Sequence, residues 1–404
     1  MIGFFFLFLQ LMRIAILTSG ILPVPATKGG AVENLIDFYL EYNNQHHLHD
    51  ITVYSIDDVD AMHHPALQSE VNHYHFIDVR SFGAKIRKNF LHLLNHEEYY
   101  HYTIEYYFEQ SLKYIADQNY DMIIIENRPG YGLKIPQEYP AKVVYHIHND
   151  FLNAQTKSAE EIYERADGII TVSNYIRERV RTVYALDKKT KVIHNGIDLS
   201  AFSAQQETHR HTLGLSDDDF VLLFSGRINH EKGISELIDA MNLLKDEPAI
   251  KLMVIGSSFY GITDFEDEYL TTLKEKASAL SNRIIFTGFV PYKQMPQYLK
   301  MADVAVIPSI WDDPFPTTVL EAQAMGVPVI STHRGGIPEE VTPETAILLD
   351  TEHHFVDHLT NAILDLYNHP EKRLVMSNAA LEHSKQFSKE KYAQNFFEAI
   401  ESIK

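Results

Sequence analysis

Short β-branched runs alternate with amphipathic helical stretches along nearly the whole chain. In the first half, Arg13–Thr18, Ile51–Ser55, Met122–Glu126, Val143–Ile147, Gly168–Val172 and Lys191–His194 read as strands. Helical patterns fall between them, at Gly30–Tyr42, Ile104–Asp117 and Asn174–Tyr184. The second half repeats the alternation, with strands expected at Phe220–Ser225, Lys251–Ile255, Arg283–Phe286, Asp303–Pro308, Val327–Ser331 and Ala346–Leu349. Strands alternating with helices predict parallel sheets with right-handed crossovers. Asn195-Gly196 is a turn signal, and the polar stretch Ser203–His211 reads as a linker. The pattern therefore predicts an α/β domain over 12–202 and a second over 203–385, with a ligand expected in the cleft between two such halves. The tail, 386–404, contains an amphipathic helix, Lys389–Ile403, with Tyr392, Phe396, Phe397 and Ile400 on its apolar side.

Residues 1–11 break the pattern. Ile2–Met12 is almost wholly apolar, too short to span a bilayer, and lacks a basic leader or a small-residue cleavage site. It is expected to be a start assigned too early, with Met12 as the true start, or else a weakly membrane-associating tail. Composition adds exclusions. The length of 404 residues suits two to three domains, and 45% apolar with 22% charged residues is not a disordered chain. A net charge of −20 argues against a nucleic-acid binder working through bulk charge. The absence of cysteine excludes disulfides and thiolate chemistry, and is compatible with a reducing cytosol.

Candidate chemistry gathers after the strands. Trp311–Pro328, WDDPFPTTVLEAQAMGVP, joins two of them and contains a predicted helix, Thr317–Met325, with Pro316 near its start and Gly326 at its end. In such units ligands bind at the strands' carboxyl ends, where helix N-termini offer N–H groups to phosphate. Asp313 is expected at the loop tip, and Glu321 about one turn inside the helix. Beside a phosphate, a carboxylate's natural task is to accept hydrogen bonds from sugar or ribose hydroxyls; otherwise both are solvated surface acids. Arg227 and Lys232 follow the strand Phe220–Ser225, just before a helix beginning near Gly233. Two cations and a helix N-terminus make a diphosphate site, or else an ordinary basic loop. Gly29-Gly30 open the first helix as an anion-facing turn, although neither G-x-G-x-x-G nor a P-loop occurs.

Other features weigh less. Strand alternation puts His146 and His148 on one face. No third metal ligand stands at a telling spacing, so a hydrogen-bonded His146 is expected, with His148, at the strand end, as the functional candidate. Asp58-Val59-Asp60 reads as a solvated turn. In Phe82–Asn95, the stripe Phe82, Ile86, Phe90 and Leu94 lies beside Lys85, Arg87 and Lys88. That helix is either a membrane-surface or lipid-acceptor patch, or a surface helix packed on the core. The aromatic run Tyr99–Phe108 either lines an acceptor groove or fills core.

An acid, Pro-Phe, and a second acid eight residues on in L-E-A-x-A-x-G-x-P-V-I resembles the signature of retaining family-4 glycosyltransferases of the GT-B fold. The family's first acid is usually Glu; Asp313 reaches the same hydroxyls only if its loop approaches by about one methylene. K-G-G-A-x-E at Lys28–Glu33, N-G-I-D at Asn195–Asp198, G-R-x-x-x-x-K-G at Gly226–Gly233, G-F at Gly288-Phe289 and G-G-x-P-E at Gly335–Glu339 extend the likeness. The resemblance implies two Rossmann-like domains facing across a cleft, the last helix crossing back to the first. It implies transfer of a sugar, with retention, from a nucleotide-diphosphate sugar, UDP-linked, to a saccharide or lipid-linked saccharide in cell-surface polysaccharide or glycoconjugate synthesis.

By that resemblance Arg227 and Lys232 hold the diphosphate, Asp313 and His148 the transferred sugar, and Glu321 the ribose. Gly29, Gly30, Gly226, Gly288, Phe289, Phe315, Pro316, Thr317 and Thr318 complete the donor site. No metal and no cofactor besides the substrate are implied. A cytoplasmic location is expected, with peripheral contact at the inner membrane face through Lys85, Arg87 and Lys88, and no nucleic-acid partner. A GT-B epimerase or phosphorylase, or a partner subunit that only binds, is the alternative; turnover of donor alone separates the epimerase.

Overall fold

The structure is a computed structural model that describes residues 11–94, 101–203, 209–257, 268–280 and 282–403. The apolar segment before Leu11, most of the expected linker, and Tyr99 and Tyr100 lie outside the described residues. The chain forms two compact units. The first runs to Val172 and adds Ile176–Ile193 and the end of the chain from Ala393; the second comprises Ser173–Tyr175 and His194–Tyr392. The first of these units ends its middle segment at Ile193, and the second resumes at His194. The reason is local: Asn195 Nδ2 donates to the Phe315 carbonyl at 3.0 Å, and Ile197 bridges Ser388, tying this stretch to the second unit.

The first unit holds seven parallel strands: β1 (Arg13–Leu17), β2 (Asp50–Ile56), β3 (Asn72–Ile77), β4 (Met122–Glu126), β5 (Lys142–Ile147), β6 (Gly168–Thr171) and β7 (Thr190–Val192), ordered β3-β2-β1-β4-β5-β6-β7. Their central runs are buried on both faces, as in all-parallel sheets. β3 was not predicted. It is an edge strand reading NHYHFI, too polar to resemble its buried neighbours, and Asn72 is anchored by Asn43 at 2.7 Å. Within this unit Phe396, in the part of the last helix (Lys389–Glu401) that follows Tyr392, lies flat on Tyr39, ring centroids 4.1 Å apart.

The second unit holds six parallel strands: β8 (Phe220–Ser225), β9 (Ile250–Ile255), β10 (Ile284–Gly288), β11 (Val304–Val306), β12 (Val329–Thr332) and β13 (Ala346–Leu349), ordered β10-β9-β8-β11-β12-β13. Helices Ile234–Leu243 and Phe355–Asn368 cover one face of this sheet and share its core. In each unit the strand order reverses beside the first strand, between β1 and β4 and between β8 and β11. Loops leaving the two strands there part in opposite directions and leave a crevice at the carboxyl ends.

Candidate functional site

In the second unit the loops after β8 and β11 meet at this switch point. Gly233, at φ +69°, lies so close to Pro308 that a Cβ would stand 1.9 Å from its carbonyl oxygen. Only glycine combines that left-handed backbone with that approach. Ile310 N donates to the Glu231 carbonyl at 3.0 Å, stitching the two loops together. The loop after β12 closes on the other side, with Gly336 N donating to the Asp313 carbonyl at 2.8 Å.

Held this way, the Lys232 ammonium bonds the Asp313 carboxylate. The two side chains are only 17% and 8% exposed, so the pair sits in the floor of the crevice. Asp313 is therefore not at a solvated loop tip; the loop folds inward because Gly335 and Gly336 let the β12 loop pack against its backbone. Trp311, the chain's one tryptophan, stands over the same ammonium at 5.6 Å from the ring centroid. Arg227 is exposed on the same β8 loop.

Glu321 lies in the helix Thr317–Ala324 and is buried. Burial pushes its carboxyl up to about 7, against the opposing hydrogen bond of Thr317. Pro316 precedes that helix, whose first turn has no side-chain cap, and Thr317 and Thr318 are half-buried there. Phe315 is packed away: its ring stacks on His194 at 4.9 Å, so it can offer a ligand backbone but little ring surface. Gly226, at φ +150°, follows β8, Gly288, at +74°, ends β10, and Phe289 comes next, half-buried.

Two acids here were not singled out. Glu339 accepts from Asn174 N at 2.7 Å, Tyr175 N at 2.8 Å and His194 Nε2 at 3.1 Å, and so serves structure. Glu340 is fully buried, and both carboxyl oxygens lack a hydrogen-bond partner among the described residues. Burial, then Asp313 and Glu339, hold it well above the usual carboxylate range. Its position in G-G-x-P-E-E gives no sign of this.

In the first unit the candidates sit at the ends of β1, β4 and β5. Gly29 and Gly30 have φ +77° and +104°, and a Cβ on Gly30 would stand 2.2 Å from Glu33 Oε2. His146 and His148 do share a face, rings 4.2 Å apart. The third group that spacing did not offer is Glu126, from the neighbouring strand. It accepts from Tyr39 Oη at 3.0 Å and meets His146 Nδ1 at 3.2 Å and His148 Nε2 at 2.9 Å. Burial raises this carboxyl, but the two imidazoles outweigh it and hold it at about 2. Burial lowers His148 to about 4, with His146 adding to the effect. The donor atoms of the three residues lie within 4.8 Å of one another, close enough to hold a cation. The hydrogen bonds already made by Glu126 equally account for them as a closed polar cluster.

One further expectation changes, and one open choice is narrowed. The Asp58 carboxylate is buried, not solvated: it accepts from Thr27 Oγ1 and from the amides of Asp60 and Ala61, and faces Lys28 at 3.6 Å. The turn thus braces the K-G-G loop. The helix Phe82–Leu94 does not pack the described part of its stripe on the core: Phe82, Ile86 and Phe90 are 79%, 55% and 49% exposed. The Leu94 side chain lies outside the described residues. Of the three basic residues, Arg87 forks onto Glu109 at 2.6 and 3.0 Å and Lys88 donates to the Val79 carbonyl, leaving Lys85 exposed. Tyr107 and Phe108 fill core. Among the described residues no helix is long and apolar enough to cross a membrane.

Two doubly wound parallel units, the second with a paired lysine and acid at its switch point, define a GT-B glycosyltransferase architecture. Residues 49–201 match the family Glycosyltransferase Family 4 and residues 205–383 match Glycosyl transferases group 1, so the chain belongs to the glycosyltransferases that join these two domains. It is 29% identical to the Bacillus subtilis (strain 168) protein YtcC over 373 residues, 89% of this chain and 81% of that one. With Spore coat protein SA of the same organism it shares 25% over 350 residues, 82% and 83% of the two chains. Among solved structures, Anabaena Alr3699/HepE in complex with UDP-glucose superposes with a TM-score of 0.73 at 22% identity, covering 97% of this chain and 100% of the other. Sucrose-phosphate synthase (tll1590) from Thermosynechococcus elongatus superposes at 0.75 and 20% identity, covering 96% and 98%. At these identities the superpositions speak for the fold.

Proposed function

We propose that this glycosyltransferase moves a sugar from a nucleoside-diphosphate sugar, UDP-linked, to a saccharide or lipid-linked saccharide acceptor in cell-surface polysaccharide or glycoconjugate synthesis, with the anomeric configuration retained. The observation that carries the reading is the convergence of Lys232 and Asp313, from the loops after β8 and β11, on one switch point. Breaking the bond between the anomeric carbon and the diphosphate oxygen builds negative charge on the leaving group and positive charge on the sugar. Lys232, with Arg227 on the same loop and the uncapped start of Thr317–Ala324, meets the first. Glu321 accepts hydrogen bonds from the ribose, and Asp313 from the transferred sugar. With fixed cations doing this work, the reaction needs neither a metal nor a separate cofactor. The exposed stripe of Phe82–Leu94 with Lys85 gives peripheral contact with the inner face of a membrane, where a lipid-linked acceptor would be met.

The intrinsic fluorescence of Trp311 reads the site directly, since the chain has one tryptophan and it stands over Lys232. Titration with UDP-, GDP- and ADP-sugars is expected to give a saturable change with one of them, and turnover to require a saccharide acceptor. No response to any nucleotide sugar, in a protein that is folded, would sink the proposal.

A further inference from the structure

We propose that Asp313 makes the donor site favour an intact nucleoside-diphosphate sugar over the nucleoside diphosphate left after transfer, by giving up Lys232 only when a sugar takes its place. The inference rests on the function proposed above and refines it. The Lys232 ammonium is bonded to Asp313, and both side chains are largely buried. Asp313 cannot retreat into water when that partner leaves. Its carbonyl is bonded by Gly336 N at 2.8 Å, and a Cβ on Gly335 would stand 2.1 Å from the same oxygen, so the β12 loop presses on its backbone. A further acid stands nearby: Glu340, buried and without hydrogen-bond partners among the described residues, is pushed up by Asp313 and Glu339 and pulled down by Lys232.

A diphosphate arriving at Lys232 therefore competes with Asp313 for one ammonium. If it wins, it leaves a buried carboxylate unpaired, which is strongly unfavourable. If it shares, the carboxylate repels it. Hydroxyls of an attached sugar remove either penalty by donating to Asp313. A bare nucleoside diphosphate brings no such donors. Once the sugar has been transferred the penalty returns, Lys232 goes back to Asp313, and the diphosphate is expelled. The exchange couples grip on the leaving group to presence of the sugar, and it needs no bond made or broken by the protein.

The test compares UDP, GDP and ADP with UDP-glucose, GDP-mannose and ADP-glucose on the full chain, by calorimetry and Trp311 fluorescence. Wild type is expected to bind the accepted nucleotide sugar more tightly than the matching diphosphate. Asp313→Asn, nearly the same size, is expected to bind that diphosphate about tenfold more tightly while the sugar form gains less, so the preference collapses. Asp313→Glu keeps the charge and is expected to keep the preference. Asp313→Ser provides a second route if Asp313→Asn unfolds: with no carboxylate to contest the ammonium, diphosphate binding tightens and the gap between diphosphate and sugar form narrows. Diphosphate binding unchanged or weaker in folded Asp313→Asn, or an undiminished preference in folded Asp313→Ser, overturns the exchange while leaving the glycosyltransfer proposal intact. A wild-type protein that binds no nucleotide sugar and no diphosphate takes down the proposed function, and the exchange with it.

Discussion

The two units share a topology and differ in how their switch points treat charge. In the first, the acids at the strand ends are matched inside the unit, although His148 Nδ1 has no hydrogen-bond partner among the described residues. Glu126 is met by Tyr39, His146 and His148, and Asp58 by Thr27 and two amides. Even Glu33 and Asp37, pushed up by burial to about 7, have Ser19 Oγ and Ala26 N as donors. In the second, Glu340 has no hydrogen-bond partner among the described residues, Glu321 is raised to about 7, and Asp313 depends on Lys232. The same strand order thus surrounds one set of acids with donors from its own unit and leaves the other for a ligand to complete. Topology decides where loops converge; side chains decide whether their charge is used up internally or kept for binding.

The comparison can be broken at several points. The largest effect is expected from Lys232→Ala, which should lower turnover by about 10²-fold or more, the usual cost of losing a charge-stabilising donor. Lys28→Ala, the lysine of the first unit's glycine loop, should change turnover only a few-fold; equal losses would erase the contrast. Next, Glu126→Ala should cost about 3 kcal/mol in urea denaturation, because it strips a buried charged cluster of its centre. Glu340→Gln should lie within about 1 kcal/mol of wild type, since no hydrogen bond is lost there. Comparable destabilisation by both would show that Glu340 is as firmly paired as Glu126.

A pH profile sharpens the same contrast. Glu321 is raised in the folded protein, so that state binds the extra proton between the ordinary carboxylate range and about pH 7. Its contribution to stability accordingly falls as pH rises through that window. Ribose hydroxyls need the ionised form, so donor affinity should rise about tenfold from pH 6 to pH 8. Glu321→Gln should flatten that rise, and a profile identical in the variant would remove Glu321 from donor binding. The smallest effect separates two glycines by denaturation. Gly233→Ala, which meets Pro308, should cost more than about 1 kcal/mol, and more than Gly29→Ala, where a Cβ meets nothing within 4 Å.

Much of the fold was legible. The strand runs of both halves appear where the apolar pattern put them, because strands buried on both faces must be apolar throughout. β3 escaped since an edge strand is half exposed and tolerates His73 and His75. At the candidate site, motif spacing brought Lys232 and Asp313 to notice separately but gave no hint that they pair. The helix Phe82–Leu94 was rightly seen as amphipathic, yet which side faced outward was open, and Arg87 and Lys88 proved to be engaged within the chain. Glu126 and Glu340 carried no signal: one closes a strand of isoleucines, the other follows an unremarkable Pro-Glu.

By itself, the amino-acid order determined the alternation of strand and helix, the two-part layout, and the glycines and prolines that shape each loop. All of these follow from periodicity and backbone preferences within a few residues. The tertiary structure alone decided which charges meet. Lys232 and Asp313 are 81 residues apart, and Glu126 and His148 are 22 apart; each pair is joined by strand order, not by chain proximity. Whether a carboxylate is solvated, paired or stranded depends on what surrounds it in space, because desolvation and Coulomb interactions act through distance rather than along the chain.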